Sequence, residues 1–217
     1  MEWGAPQNLQ PFLQIAAFWC SVMLFSGPRP VRFLWGLVLG AGCARLGWAV
    51  FHASAWLASP WSVVDATGGF TILAVPIGPL LLTPGGVSAR LGLAYRAAVA
   101  RALTPAFALS RLGCWMVGCC GGKPISEVAS HPVALYEIAG WLLLAAGLWR
   151  VPVSWVPGVW LMAFGGLRLL VEPFRALPPL GEPEVEVVWI AGAWMGLGVA
   201  TWRVDARRPD PSQRTSL

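Results

Sequence analysis

The chain has 217 residues, 57% of them hydrophobic and only 12% charged, whereas an ordinary soluble domain carries roughly 25% charged residues. A core of this size cannot hide so much apolar surface from water, which excludes a soluble globule and predicts an all-α, polytopic membrane protein. The formal net charge of +5 comes from arginines dispersed along the chain, which excludes a nucleic-acid surface.

Crossing a hydrocarbon core of ~30 Å takes about 20 helical residues. On that basis seven transmembrane helices are predicted, over 11–27, 33–52, 68–83, 99–119, 132–149, 156–174 and 186–203. The start, Met1-Glu2-Trp3-Gly4, lacks the basic region of a cleavable signal. The second span carries Gly36, Gly40, Gly42 and Gly47, a spacing suited to close helix contact. Gly68, Gly69, Pro76, Gly78 and Pro79 make the third span kinked or partly re-entrant. Residues 1–205 read as a single transmembrane domain, and 206–217 as a disordered cytoplasmic tail.

Loop charges set the orientation. With the N-terminus outside, Arg29, Arg32, Arg90, Arg96, Arg150, Arg203, Arg207, Arg208 and Arg214 all fall on the inner side. The outer loops keep Lys123, with Arg175 at a boundary, and the acidic Glu182, Glu184 and Glu186. The positive-inside rule therefore places the N-terminus outside and the C-terminus in the cytoplasm.

Arg45, Arg101, Arg111, Arg168, Glu137 and Glu172 are left in or near the spans. Arg168 and Glu172 are spaced i, i+4 and share a helix face, where they can pair. Arg101 can snorkel to the inner surface. Arg45 is open between packing and a second contact to a lipid phosphate. Arg111, Cys114 and Gly118 form one helical stripe in Arg111-Leu112-Gly113-Cys114-Trp115-Met116-Val117-Gly118-Cys119-Cys120-Gly121-Gly122. A guanidinium beside small residues leaves room for a planar, anionic partner, and Arg111 with Arg168 suits a phospholipid headgroup.

Three segments then read together: Arg111–Gly122, His131-Pro132-Val133-Ala134-Leu135-Tyr136-Glu137, and Phe164-Gly165-Gly166-Leu167-Arg168-Leu169-Leu170-Val171-Glu172-Pro173-Phe174-Arg175. In order and spacing they resemble the prolipoprotein diacylglyceryl transferase family, whose patterns are G-R-x-G-N-F-x-N-G-E-x-x-G, H-P-x-Q-L-Y-E and G-x-x-R-x-x-x-E-x-x-R. The resemblance implies an enzyme of the bacterial inner membrane acting in lipoprotein biosynthesis. It would move the diacylglyceryl group of phosphatidylglycerol onto a lipoprotein-precursor cysteine thiol and release glycerol phosphate. By position it implies Arg111, Arg168, Glu172, Tyr136 and Glu137 as catalytic, with His131 as a candidate base near the outer surface. It implies Arg111, Gly118 and Gly122 along the substrate; Arg45, Cys114 and Cys119 are further candidates there from their positions in this chain. No cofactor and no metal site is expected, because Cys114-x4-Cys119-Cys120 does not have a zinc spacing. The partners are phospholipid and the lipoprotein precursor, with no nucleic acid.

The chain departs from the family pattern at informative places. Cys114 stands where the family has Asn, Cys119 where it has Glu, and Thr67-Gly68-Gly69 where it has H-G-G. Two other readings stay open: a non-catalytic phospholipid-binding membrane protein, and a membrane thiol oxidoreductase built on Cys114, Cys119 and Cys120.

Overall fold

A computed structural model describes residues 9–26, 29–51, 57–58, 89–118, 121–127, 129–176 and 184–206. Apart from one short hairpin, the regular structure described is helical. The main helices are α1 (Leu9–Leu24), α2 (Pro30–Phe51), α3 (Ala89–Val117), α4 (Val133–Leu148), α5 (Val156–Val171) and α6 (Glu184–Ala206). The hairpin, β1 (Pro124–Ser126) with β2 (Ala129–Ser130), lies between α3 and α4, and a 3-10 turn (Glu172–Phe174) follows α5.

Six of the predicted segments are met by these helices. The predicted third span, 68–83, and the tail from Arg207 onward lie outside the described residues. The helix predicted over 99–119 starts ten residues earlier, at Ala89, so Arg90 and Arg96 sit on α3 and not in a loop. Among the described residues, no helix is long and apolar enough to cross a membrane. α4 and α5 have 16 residues each, which rise about 24 Å. The 29 residues of α3 are interrupted by Arg90, Arg96, Arg101 and Arg111.

Proline and glycine mark the helix ends. Pro30 opens α2 and Pro157 lies in the first turn of α5, where a missing N–H costs nothing. α3 stops at Gly118, whose φ of +70° is the left-handed conformation that ends helices. α5 gives way to the 3-10 turn at Glu172-Pro173, because Pro173 cannot donate to a continuing helix.

The core lies between α3, α4 and α5, where Phe107, Trp141, Trp160 and Phe164 pack ring against ring. The Trp160 indole would be orphaned there, but its Nε1 donates to Thr104 Oγ1 at 2.9 Å, and Thr104 donates to Ala100 O at 2.6 Å. α5 and α6 pack closely because small residues line the seam. A Cβ on Gly158 would stand 2.5 Å from Trp202 Cβ, and one on Gly198 would stand 2.6 Å from Met162 N.

Two arginines lock the far end of α3. Arg96 pairs with the buried Asp205 of α6 at 3.0 Å. Arg101 lies 5.0 Å over the Trp149 ring and donates to Leu148 O, at the C-terminal end of α4. That is where a cation meets the free carbonyls and the negative end of the helix dipole. Arg101 is therefore held by the protein as a helix cap.

Candidate active site

Three helix ends meet at the opposite pole of α3. Arg111 comes from the last two turns of α3, Glu137 from the start of α4, and Arg168 from the last turn of α5. The chain beyond α5 adds Glu172 and Arg175. Glu137 is the hub. Its Oε2 lies 2.7 Å from Arg111 Nε, and its Oε1 lies 3.7 Å from Arg168 Nη1 and 3.4 Å from Arg175 Nη1. Arg168 also pairs with Glu172 at 3.1 Å across one helical turn, as the i, i+4 spacing predicts. Glu137 is 3% exposed and Arg111 8%. Charges so far from water persist only when paired, and each here has a partner.

A small backbone layer closes this pole. Gly122 bridges Arg175, with Lys123 N donating to Phe174 O at 2.8 Å and Ala176 N to Gly121 O at 3.2 Å. His131 N donates to Lys123 O at 3.0 Å, which folds the hairpin back over the same place. Gly122 is needed for this close passage: a Cβ there would collide with the carbonyl oxygen of His131. The layer carries Arg175 to Glu137. It also brings His131 Nδ1 to 3.2 Å from the Tyr136 hydroxyl, with Phe174 against both rings.

A family model described as prolipoprotein diacylglyceryl transferase matches residues 31–203, which include every residue of this cluster. The chain belongs to the prolipoprotein diacylglyceryl transferase family. No curated protein and no solved structure matches it.

The residues that the resemblance to the diacylglyceryl transferases singled out thus divide by place. Arg111, Glu137, Arg168 and Glu172 form one ionic cluster, and Tyr136 and His131 form a polar pair within the backbone layer beside it. Cys114, at the family's Asn position, is buried, and its Sγ accepts from Arg111 Nη1 at 3.9 Å. Gly118 is exposed and turns the chain out of α3. Arg45 is on α2, but its side chain lies outside the described residues, as do Cys119 and Cys120 altogether. Among the described residues no group of three or more His, Cys, Asp and Glu side chains is placed to hold a metal ion.

Arg175 was missed as a site residue. It was counted as a boundary charge of the outer loops. The available signal was its i, i+3 spacing from Glu172, inside the segment that carries the family pattern.

Proposed function

We propose that this chain transfers the diacylglyceryl group of phosphatidylglycerol to the cysteine thiol of a lipoprotein precursor, in the bacterial inner membrane. The observation that carries this reading is the convergence of Arg111, Arg168 and Arg175 on Glu137. Three guanidinium groups at one shielded place offer the planar, forked donors that suit a phosphodiester.

In the reaction a bond forms between the acceptor sulfur and the glyceryl carbon. The bond from that carbon to the phosphate oxygen breaks, and glycerol phosphate leaves. The arginines stabilise the charge that develops on the departing phosphate, where a dry site makes each donor count for more than in water. The thiol must lose its proton, and the His131–Tyr136 pair, half-exposed beside the cluster, is placed to serve as the acid–base couple. Arg111, Arg168, Glu172, Glu137, Tyr136 and His131 are the working groups in this reading, joined by Arg175. Cys114 and Gly122 shape the walls.

A multi-pass arrangement with the N-terminus outside and the C-terminus cytoplasmic accompanies this reading. It is supported by side chains that face outward although they are apolar. On α4 these are Leu135, Leu142 and Leu143, the last 75% exposed, and Glu137 is the one charged residue of that helix. A helix apolar all round is covered by protein or by lipid. Exposed Trp19, Trp35, Trp149, Trp155 and Trp189 suit an interfacial belt.

The test is reconstitution in proteoliposomes with phosphatidylglycerol labelled in its diacylglyceryl part and a lipobox peptide. Label should appear on the peptide in thioether linkage. No transfer, with Arg111→Ala indistinguishable from wild type, would sink the proposal.

A further inference from the structure

Two pairs of sequence neighbours meet each other at this pole. Glu137 lies 3.4 Å from Arg175, and the residues just before them, Tyr136 and Phe174, meet ring to ring with centroids 5.8 Å apart. The Phe174 ring also lies 5.0 Å from the His131 imidazole, tilted by 53°. Lys123 ties the two backbones together: its N–H donates to Phe174 O at 2.8 Å, and its carbonyl accepts from His131 N at 3.0 Å. His131 O in turn accepts from Val133 N at 2.9 Å. The main chain of His131 is thus held on both sides, while these bonds leave its ring free to turn. Among the described residues, the interactions of that ring are with the Tyr136 hydroxyl, 3.2 Å from Nδ1, and with Phe174.

We propose that Phe174 is a positioning residue: it holds the His131 imidazole on Tyr136, so that the outer nitrogen, Nε2, is kept open for the acceptor's proton. The inference rests on the reading of His131 as the base for that thiol. For Nε2 to accept a proton, Nδ1 must already carry one, because a neutral imidazole has a single N–H. Tyr136 Oη is placed to accept from Nδ1–H, and that hydrogen bond selects the productive tautomer. When the thiol gives its proton to Nε2, the same bond becomes charge-assisted and steadies the imidazolium. The sulfur attacks the glyceryl carbon, and the electron pair of the breaking carbon–oxygen bond leaves with glycerol phosphate. Phe174 touches neither the sulfur nor the phosphate. Its tilted ring resists rotation of the imidazole, and it sits between Glu172 and Arg175, so one short turn supports both the base and the ionic cluster.

The experiment uses the full chain in nanodiscs, with Phe174→Leu, Phe174→Tyr and Tyr136→Phe beside wild type. The chain has two histidines, so labelling histidine with heavy nitrogen gives two imidazoles in a magnetic resonance spectrum, and His131→Gln identifies the signals of His131. At about pH 8.5, above the ordinary histidine range, wild type shows His131 as the Nδ1–H tautomer. Phe174→Leu keeps an apolar side chain without the flat ring and gives mixed tautomers, as does Tyr136→Phe. Phe174→Tyr restores the ring and the single tautomer. In transfer to a lipobox peptide, Phe174→Leu lowers kcat by about three- to tenfold, the scale of one lost aromatic contact, and leaves the KM for phosphatidylglycerol unchanged.

An unchanged His131 tautomer in Phe174→Leu overturns the proposal, and so does a loss that falls on KM rather than kcat. If that variant does not fold, Phe174→Met and Tyr136→Phe decide, and an unchanged tautomer in either overturns it equally. The spectrum is read without acceptor peptide and so does not depend on transfer. A tautomer that responds to Phe174 in a protein that transfers nothing defeats the proposed reaction and leaves the holding of the imidazole standing; transfer with a tautomer indifferent to Phe174 does the reverse.

Discussion

Arg111 Nε and Glu137 Oε2 stand 2.7 Å apart in the protein interior, with 10% and 4% of their side chains exposed. The contact ties the end of α3 to the start of α4. Desolvation of each ion costs several kcal/mol, and the contact offsets part of that cost.

Glu137→Ala should therefore destabilise the fold more than any other single change in the cluster. It leaves three arginines short of a counter-charge, at a cost of about 3–5 kcal/mol. Thermal unfolding in detergent measures it. A melting temperature for Glu137→Ala no lower than that of Glu172→Ala would contradict the hub role.

Arg111→Lys should keep a positive charge but lose transfer. Lysine is a point charge without the planar fork, so it cannot hold Glu137 and present further donors to a phosphate at once. The expected fall in kcat/KM is about 10²-fold, the scale of removing one donor to a developing oxyanion. Initial rates with labelled phosphatidylglycerol check it.

Tyr95→Phe should be neutral or stabilising. Tyr95 is fully buried, and its hydroxyl meets no hydrogen-bond partner among the described residues. Removing an unsatisfied buried hydroxyl recovers about 1 kcal/mol of desolvation cost, while the ring keeps its edge contact with Phe25, 5.8 Å between centroids. The readout is a melting temperature equal to or above wild type.

Gly122→Ala and Gly121→Ala should differ sharply although they are neighbours. A methyl on Gly122 runs into His131, its Cβ 2.6 Å from that of His131, whereas one on Gly121 meets nothing within 4 Å. Gly122→Ala pushes the hairpin away and carries Arg175 with it, so transfer falls while Gly121→Ala behaves as wild type. Equal activity of the two would refute the role given to the backbone layer.

Much of the site was legible in the sequence for a simple reason. The Arg168–Glu172 pair lies within one helical turn, where i, i+4 spacing dictates proximity. Arg111 stood out because an arginine beside small residues in an apolar run has few inexpensive environments. Helix lengths were less legible. Residues 89–98 continue α3 although Arg90 and Arg96 resemble loop charges, because Arg96 finds its counter-ion in Asp205 on a distant helix.

The sequence by itself determined an apolar, helical chain of the diacylglyceryl transferase family, with its ionisable residues confined to a few segments. Local periodicity and composition suffice for that. Only the tertiary structure decided that Glu137 is shared by three arginines from two other segments, that Arg175 joins them through the Gly122 bridge, and that Arg101 caps a helix. Those outcomes depend on how helix ends meet in space. Burial then forces each charge onto whatever partner the packing brings within reach.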